Sequence, residues 1–225
     1  MNRHVSFRRV VPAFVAALAV LSLARAGQDE PAATTSQPAN EAPPPGRVTG
    51  RVTAEAGKTL PEMIVYLESS EPNRRFPAPG EPAVISQKGA KFQPNPLIIC
   101  VGQAVEFRND EDRPIEHNVF SRSPARTFDL GLYKPGVDKR VTFEQPGAVR
   151  LFCSIHRYMD GMIFVCPTPF FAKVGADGRF DIADVPPGSY RVKTWQARQR
   201  FKEQTSDVEV TSGQAAEVAI EMRRK

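Results

Sequence analysis

The sequence predicts an all-β protein built as one sandwich or two, and three observations carry that expectation. Apolar residues alternate with polar ones at a period of two, as in Val105-Glu106-Phe107-Arg108, Val141-Thr142-Phe143-Glu144 and Val218-Ala219-Ile220-Glu221-Met222. Turn formers are abundant, with 21 Pro and 15 Gly in 225 residues, and they interrupt the apolar runs every few positions. No window of a dozen residues carries a 3.6-residue period, so a helix bundle or coiled coil is excluded.

In chain order the first element is not part of that fold. Arg3, Arg8 and Arg9 precede an apolar run at 10–23, and Ala24-Arg25-Ala26 then fits a small-x-small cleavage site. Residues 1–26 therefore read as a signal peptide, since the run is shorter than the roughly 20 residues of a membrane span. This places the mature chain in a periplasmic or secreted location, with no membrane insertion after cleavage. It also changes the charge. The formal +5 owes four units to Arg3, Arg8, Arg9 and Arg25, so the remainder is nearly neutral and a nucleic-acid partner loses its support. Residues 27–46 hold five Pro and almost no large apolar side chain, and read as a disordered linker.

Strands are expected at 48–53, 63–67, 97–101, 149–153, 162–166, 179–182 and 190–195, besides the three alternating runs above. Asp177-Gly178 suits a tight hairpin, and Pro186-Pro187-Gly188 is a second strong turn. The basic cluster Arg198, Arg200 and Lys202 reads as a solvated loop, and Asp110, Glu111, Asp112 and Glu116 as a polar turn.

Chemistry concentrates in one motif, Cys153-x-x-His156-x-x-Met159, with His117-Asn118-Val119 upstream. Beyond residue 26 the chain has only two histidines, and both belong to this set. One thiolate, two imidazoles and a thioether are the soft and borderline donors that suit copper, and two His plus one Cys with a weak axial Met make a blue-copper electron-transfer site. Cys153 shares a strand face with Val149 and Leu151, so its sulfur is expected to point inward, with His117 arriving from across the sandwich. Met162 is a rival axial donor, less favoured because it starts a strand. Structural zinc ordinarily uses more Cys and no Met, and nothing resembles a nucleophile motif. The cysteine count is odd, so one may have separate work while the other two bridge.

Residues 83–166 resemble the cupredoxin family, closest to its amicyanin and plastocyanin-like members. The likeness lies in Lys91-Phe-Gln-Pro-Asn-Pro-Leu-Ile-Ile-Cys-Val-Gly102, Val105-Glu-Phe-Arg-Asn109, His117-Asn118-Val119, Val141-Thr-Phe143, Pro146-Gly147 and the Cys153–Met159 spacing. The resemblance implies a Greek-key sandwich over 71–167 that binds one Cu(I)/Cu(II) ion. His117, Cys153 and His156 would be its equatorial ligands and Met159 the axial one. It also implies that Asn118 holds the ligand loop, that electrons pass through His156, and that Cys100 and Cys166 form a disulfide between neighbouring strands. Where family members often carry Pro after that His, this chain has Arg157. Thr127-Phe-Asp-Leu-Gly131 matches no ligand role.

A second stretch, Phe171-Ala-Lys-Val-Gly-Ala-Asp-Gly-Arg-Phe-Asp-Ile-Ala-Asp-Val-Pro-Pro-Gly-Ser-Tyr-Arg-Val192, resembles the carboxypeptidase regulatory-like (transthyretin-like) sandwich. That family's opening strands appear about a hundred residues earlier, as Gly46-Arg-Val-Thr-Gly-Arg-Val52 and Val65-Tyr-Leu67. The expected architecture is a cupredoxin sandwich plus a second small β-sandwich, discontinuous in sequence, formed by 47–70 and 168–225. The expected function is a one-electron carrier between redox partner proteins rather than an enzyme. The alternative is a copper storage, delivery or sensing module.

Overall fold

A computed structural model of the chain describes residues 42–225. The signal-peptide reading and most of the linker fall outside the described residues. Within them the all-β expectation holds: sixteen strands and no helix. No helix among them is long and apolar enough to cross a membrane.

The chain opens with β1 (Gly46–Ala54) and β2 (Ile64–Ser69). Nine strands follow: β3 (Ala83–Gln87), β4 (Phe92–Gln93), β5 (Leu97–Cys100), β6 (Ala104–Asn109), β7 (His117–Ser123), β8 (Arg126–Tyr133), β9 (Asp138–Thr142), β10 (Gly147–Phe152) and β11 (Asp160–Cys166). The last five are β12 (Phe171–Lys173), β13 (Arg179–Val185), β14 (Gly188–Trp195), β15 (Thr205–Val210) and β16 (Ala215–Met222).

Two sheets, ordered β4-β3-β6-β9 and β5-β11-β10-β7-β8, enclose one apolar core that includes Ile85, Phe107, Phe143, Leu151 and Ile163. Two more, ordered β13-β1-β16 and β12-β2-β14-β15, enclose a second core around Val48, Leu67, Ile182, Tyr190 and Met222. The strands of this second sandwich come from both ends of the described chain. β1 pairs in parallel with β16, Arg47 opposite Ala215 through Ala54 opposite Met222.

A third cluster joins the sandwiches. Alternation along β2 sends Val65 and Leu67 into the second core, and Ile64 and Tyr66 onto the opposite face. There they meet Phe164 and Cys166 of β11, Cys100 of β5 and Trp195 of β14. Trp195 stacks on Phe164 with ring centroids 4.3 Å apart, and Tyr66 meets Phe164 edge-on at 5.3 Å. β2 and β11 are thus buried on both faces.

Two local expectations are corrected and a third is not shown. Asp177-Gly178 does not close a hairpin, because β12 and β13 belong to different sheets; the turn carries the chain between layers. Gly178 is required there, since its φ is +82° and a Cβ would lie 2.3 Å from the Val52 carbonyl oxygen. The end of the 27–46 linker is not free, since Gly46 is already in β1 and Ser212 Oγ donates to the Pro44 carbonyl at 3.0 Å. Cys100 and Cys166 are register partners in the parallel β5–β11 ladder, the adjacency expected of them, and the bridge between them is not shown, both being free here. Burial raises both thiol pKa values, and both side chains pack in the third cluster.

Candidate metal centre

The ligand loop lies where β10 ends and β7 begins. These strands are antiparallel neighbours, with Phe152 opposite Phe120, so Cys153, just past β10, comes beside the first residues of β7. His117 therefore reaches Cys153 along the same sheet rather than from across the sandwich as expected. After Cys153 the chain turns tightly and returns: the Met159 amide donates to the His156 carbonyl at 2.9 Å, and the Cys153 amide to the Met159 carbonyl at 3.2 Å. This closed turn brings His156 back over the sulfur, with Nδ1 3.6 Å from Sγ.

One ligand atom each from His117, Cys153 and His156 lies within 4.8 Å of the others, and the two imidazole centroids are 4.8 Å apart. Cys153 is buried and His117 fully so, while His156 is half-buried at the surface. Met159 closes the loop with only 2% of its surface exposed and packs in the first core beside Cys153. Met162 is excluded as an axial donor. Its neighbours Gly161 and Ile163 face the first core, whereas Met162 packs against the third cluster on the other side of the sheet.

Asn118 makes three contacts at the start of the ligand loop. Its amide donates to Cys153 Sγ at 3.5 Å, its side-chain Oδ1 accepts from the Ser154 amide at 3.2 Å, and its Nδ2 donates to Asp129 Oδ1 at 2.7 Å. The first contact steadies charge on sulfur, and the other two fix the start of the loop. Asp129 also accepts from the Gly131 amide at 2.9 Å. Those two bonds hold its carboxyl below the ordinary value against a smaller opposing effect of burial.

Sequence reasoning missed two residues here. Asp129 sits in the stretch assigned no role. Glu111, read as part of a polar turn, accepts a 2.9 Å hydrogen bond from His117 Nε2. It also accepts from the Ala90 amide at 3.1 Å. Burial pushes the Glu111 carboxyl up, but the bonds from His117 and from the Ala90 and Gly89 amides outweigh it and leave the carboxyl below its usual value. An acid six residues before a buried His carried no pattern that singled it out from Asp110 or Asp112.

Because a carboxylate only accepts, Glu111 fixes the proton of His117 on Nε2 and leaves Nδ1 as a lone-pair donor. That Nδ1 is buried and has no hydrogen-bond partner among the described residues. An orphaned buried nitrogen costs about 1–3 kcal/mol, and here it converges with a thiol and a second imidazole. The arrangement is suited to holding a soft or borderline transition metal, the donor set being one sulfur and two nitrogens.

The sequence matches the family model described as polysaccharide lyase family 4, domain II, over residues 169–218. No curated protein matches the chain. Among solved structures it is similar to a purple cupredoxin from Nitrosopumilus maritimus, 25% identical over 37% of this chain and 98% of that one, with a TM-score of 0.34. It is also similar to a Cu-containing nitrite reductase from Thermus scotoductus SA-01, 28% identical over 44% of this chain, with a TM-score of 0.37. The matched part spans only 25% of that reductase. A mutant of oxidized amicyanin is 20% identical over 37% of this chain and 80% of that one, with a TM-score of 0.34.

Proposed function

We propose that the chain is a type 1 (blue) copper protein that binds one copper ion and transfers single electrons between protein partners outside the cytoplasm. The observation that carries this reading is the convergence of Cys153 Sγ and His156 Nδ1 with a fully buried His117 whose Nδ1 is oriented for donation and otherwise unpartnered. His117, Cys153 and His156 would hold the ion, with Met159 as the weak axial donor. Bound there, copper supplies a one-electron redox couple.

The chain's own residues do the rest. Glu111 and Asn118 hold two of the ligands in place before metal arrives, so little rearrangement accompanies binding or redox change. The first core keeps water from the sulfur side. His156 alone of the three ligands reaches the surface and gives electrons a short exit. Near it the protein displays apolar side chains: Ile155 and Tyr158 in the ligand loop, and Leu132 opposite Asn118. Tyr158 is 95% exposed. Such a small apolar surface suits brief docking of a redox partner rather than a lasting complex. Two histidines beyond residue 26 are too few for a trinuclear oxidase centre, which favours a carrier over an enzyme.

The test is to add Cu(II) to purified protein and record the visible spectrum. An intense thiolate-to-copper band that saturates at one equivalent and disappears in Cys153→Ser is expected. No such band, or one that survives the substitution, refutes the reading. Repeated oxidation and reduction by a c-type cytochrome without loss of copper to a chelator then distinguishes a carrier from a delivery protein.

A further inference from the structure

Outside the metal centre, the feature that asks for a ligand is the cleft between the two sandwiches. It has a volume of about 670 Å³, within the range of small-molecule sites, which favour such junctions. Its floor is apolar, with Trp195, Ile98 and Met162 among its residues. Four cations line it from three separate segments: Arg150 on β10, Lys173 on β12, and Arg198 with Arg200 on the loop after β14. None of the four forms a salt bridge among the described residues, although ten such bridges occur elsewhere. The acids on the same walls are Glu62 and Asp160, so the cleft carries a net positive charge.

The 198–202 cluster is exposed, as expected of a solvated loop, and the loop that carries it is anchored. Gln196 is buried with 2% exposure, and its Oε1 accepts from the amides of Arg200 at 3.1 Å and Phe201 at 3.3 Å. Its Nε2 donates to the Phe201 carbonyl at 3.0 Å. Phe201 in turn is buried in the second core. The opposite wall is fixed as well: Asn95 donates to the Asp160 carbonyl at 3.3 Å and accepts from the Met162 amide at 3.0 Å. A cleft with both walls fixed loses little entropy on binding.

We infer that this cleft is a binding site for a small organic anion with at least two carboxylate or phosphate groups. Two or more anionic groups are required to engage cations that stand on both sandwiches, and the apolar floor accommodates the carbon body between them. Guanidinium groups pair with carboxylate and phosphate in a bidentate manner, which an ordinary salt ion does not reproduce. The site is independent of whether copper is bound.

Trp195 is the only tryptophan in the chain and lies in the cleft, so its fluorescence reports on this site alone. The experiment titrates the protein with citrate and, separately, with inorganic pyrophosphate at constant ionic strength, and confirms binding by calorimetry. A saturable Trp195 signal with either probe is expected, with citrate binding identifying carboxylates and pyrophosphate binding identifying phosphates. Affinity should fall at least tenfold in Arg198→Glu/Arg200→Glu, and similarly in Arg150→Glu, which changes the wall on the other sandwich at an exposed position. The proposal is overturned if neither probe gives a saturable signal, if potassium chloride alone reproduces it, or if variants with unchanged circular dichroism bind as the parent does.

Discussion

Replacing Glu111 tests how the metal centre is held. In Glu111→Ala the His117 Nε2–H loses its acceptor, and with no exposed surface on His117 water cannot take the vacated place without opening the core. An unsatisfied buried donor costs about 1–3 kcal/mol, and a bond to a charged partner sits in the upper half of that range. The Ala90 amide loses an acceptor at the same time, but it lies at a half-buried turn where water can replace it. The metal-free protein should therefore lose about 2 kcal/mol in urea unfolding. Copper affinity should fall by roughly 10- to 100-fold, because the tautomer and ring orientation of His117 are no longer fixed. Glu111→Gln keeps an acceptor of the same reach and should recover most of both losses. Affinity is read by competition with a chelator and the ligand geometry by the visible spectrum. Unchanged affinity and spectrum in Glu111→Ala would mean that the core alone orients His117, and the argument from the carboxylate would fail.

Other substitutions probe the frame around the site. Trp195→Ala removes the stacked contact with Phe164 from the cluster that joins the sandwiches and should cost about 3–5 kcal/mol by urea unfolding, whereas a loss below 1 kcal/mol would show that the layers do not depend on it. Gly178→Ala places a Cβ 2.3 Å from the Val52 carbonyl oxygen at a φ of +82°. It should cost more than the roughly 1–2 kcal/mol of left-handed backbone alone, and thermal unfolding reports it. Glu106 receives hydrogen bonds from Arg140 and Arg108, which hold its carboxyl below the ordinary value. Its contribution to stability is therefore present above the usual carboxylate pKa and is lost as pH falls through the lowered folded-state value. Acid unfolding of Glu106→Gln should be less steep than that of the parent over this range, and identical profiles would refute the coupling.

The parts of the fold that could be read in advance are those with strong local pattern. Alternation at 105–108, 149–153 and 190–195 reflects strands with one face in a core, and the structure has strands there. Short edge strands such as β4 and β12 were invisible because two or three residues cannot display a period. β8 was missed because much of it is exposed and only its last residue is buried. At the centre itself, the soft donors at a spacing of three announced themselves, since Cys, His and Met are rare and their chemistry is narrow. Glu111 and Asp129 did not, because acids are common and their value depends on which buried group they meet. The adjacency of Cys100 and Cys166 was legible, since both end apolar runs, and the structure makes them ladder neighbours.

The parallel pairing of β1 with β16 also dictates timing. β1 is complete at residue 54, yet its ladder partner begins at residue 215, and its other neighbour, β13, begins at residue 179. Closing so long a loop has an entropic cost that must be met before the contacts reward it. β3 to β11, in contrast, are all complete by residue 166. During synthesis the metal-binding sandwich can therefore close while β1 and β2 still wait for partners that have not been made. For that interval Val48, Val52 and Leu67 have no finished core to enter, and exposed apolar surface of this kind is what makes partly folded chains prone to associate.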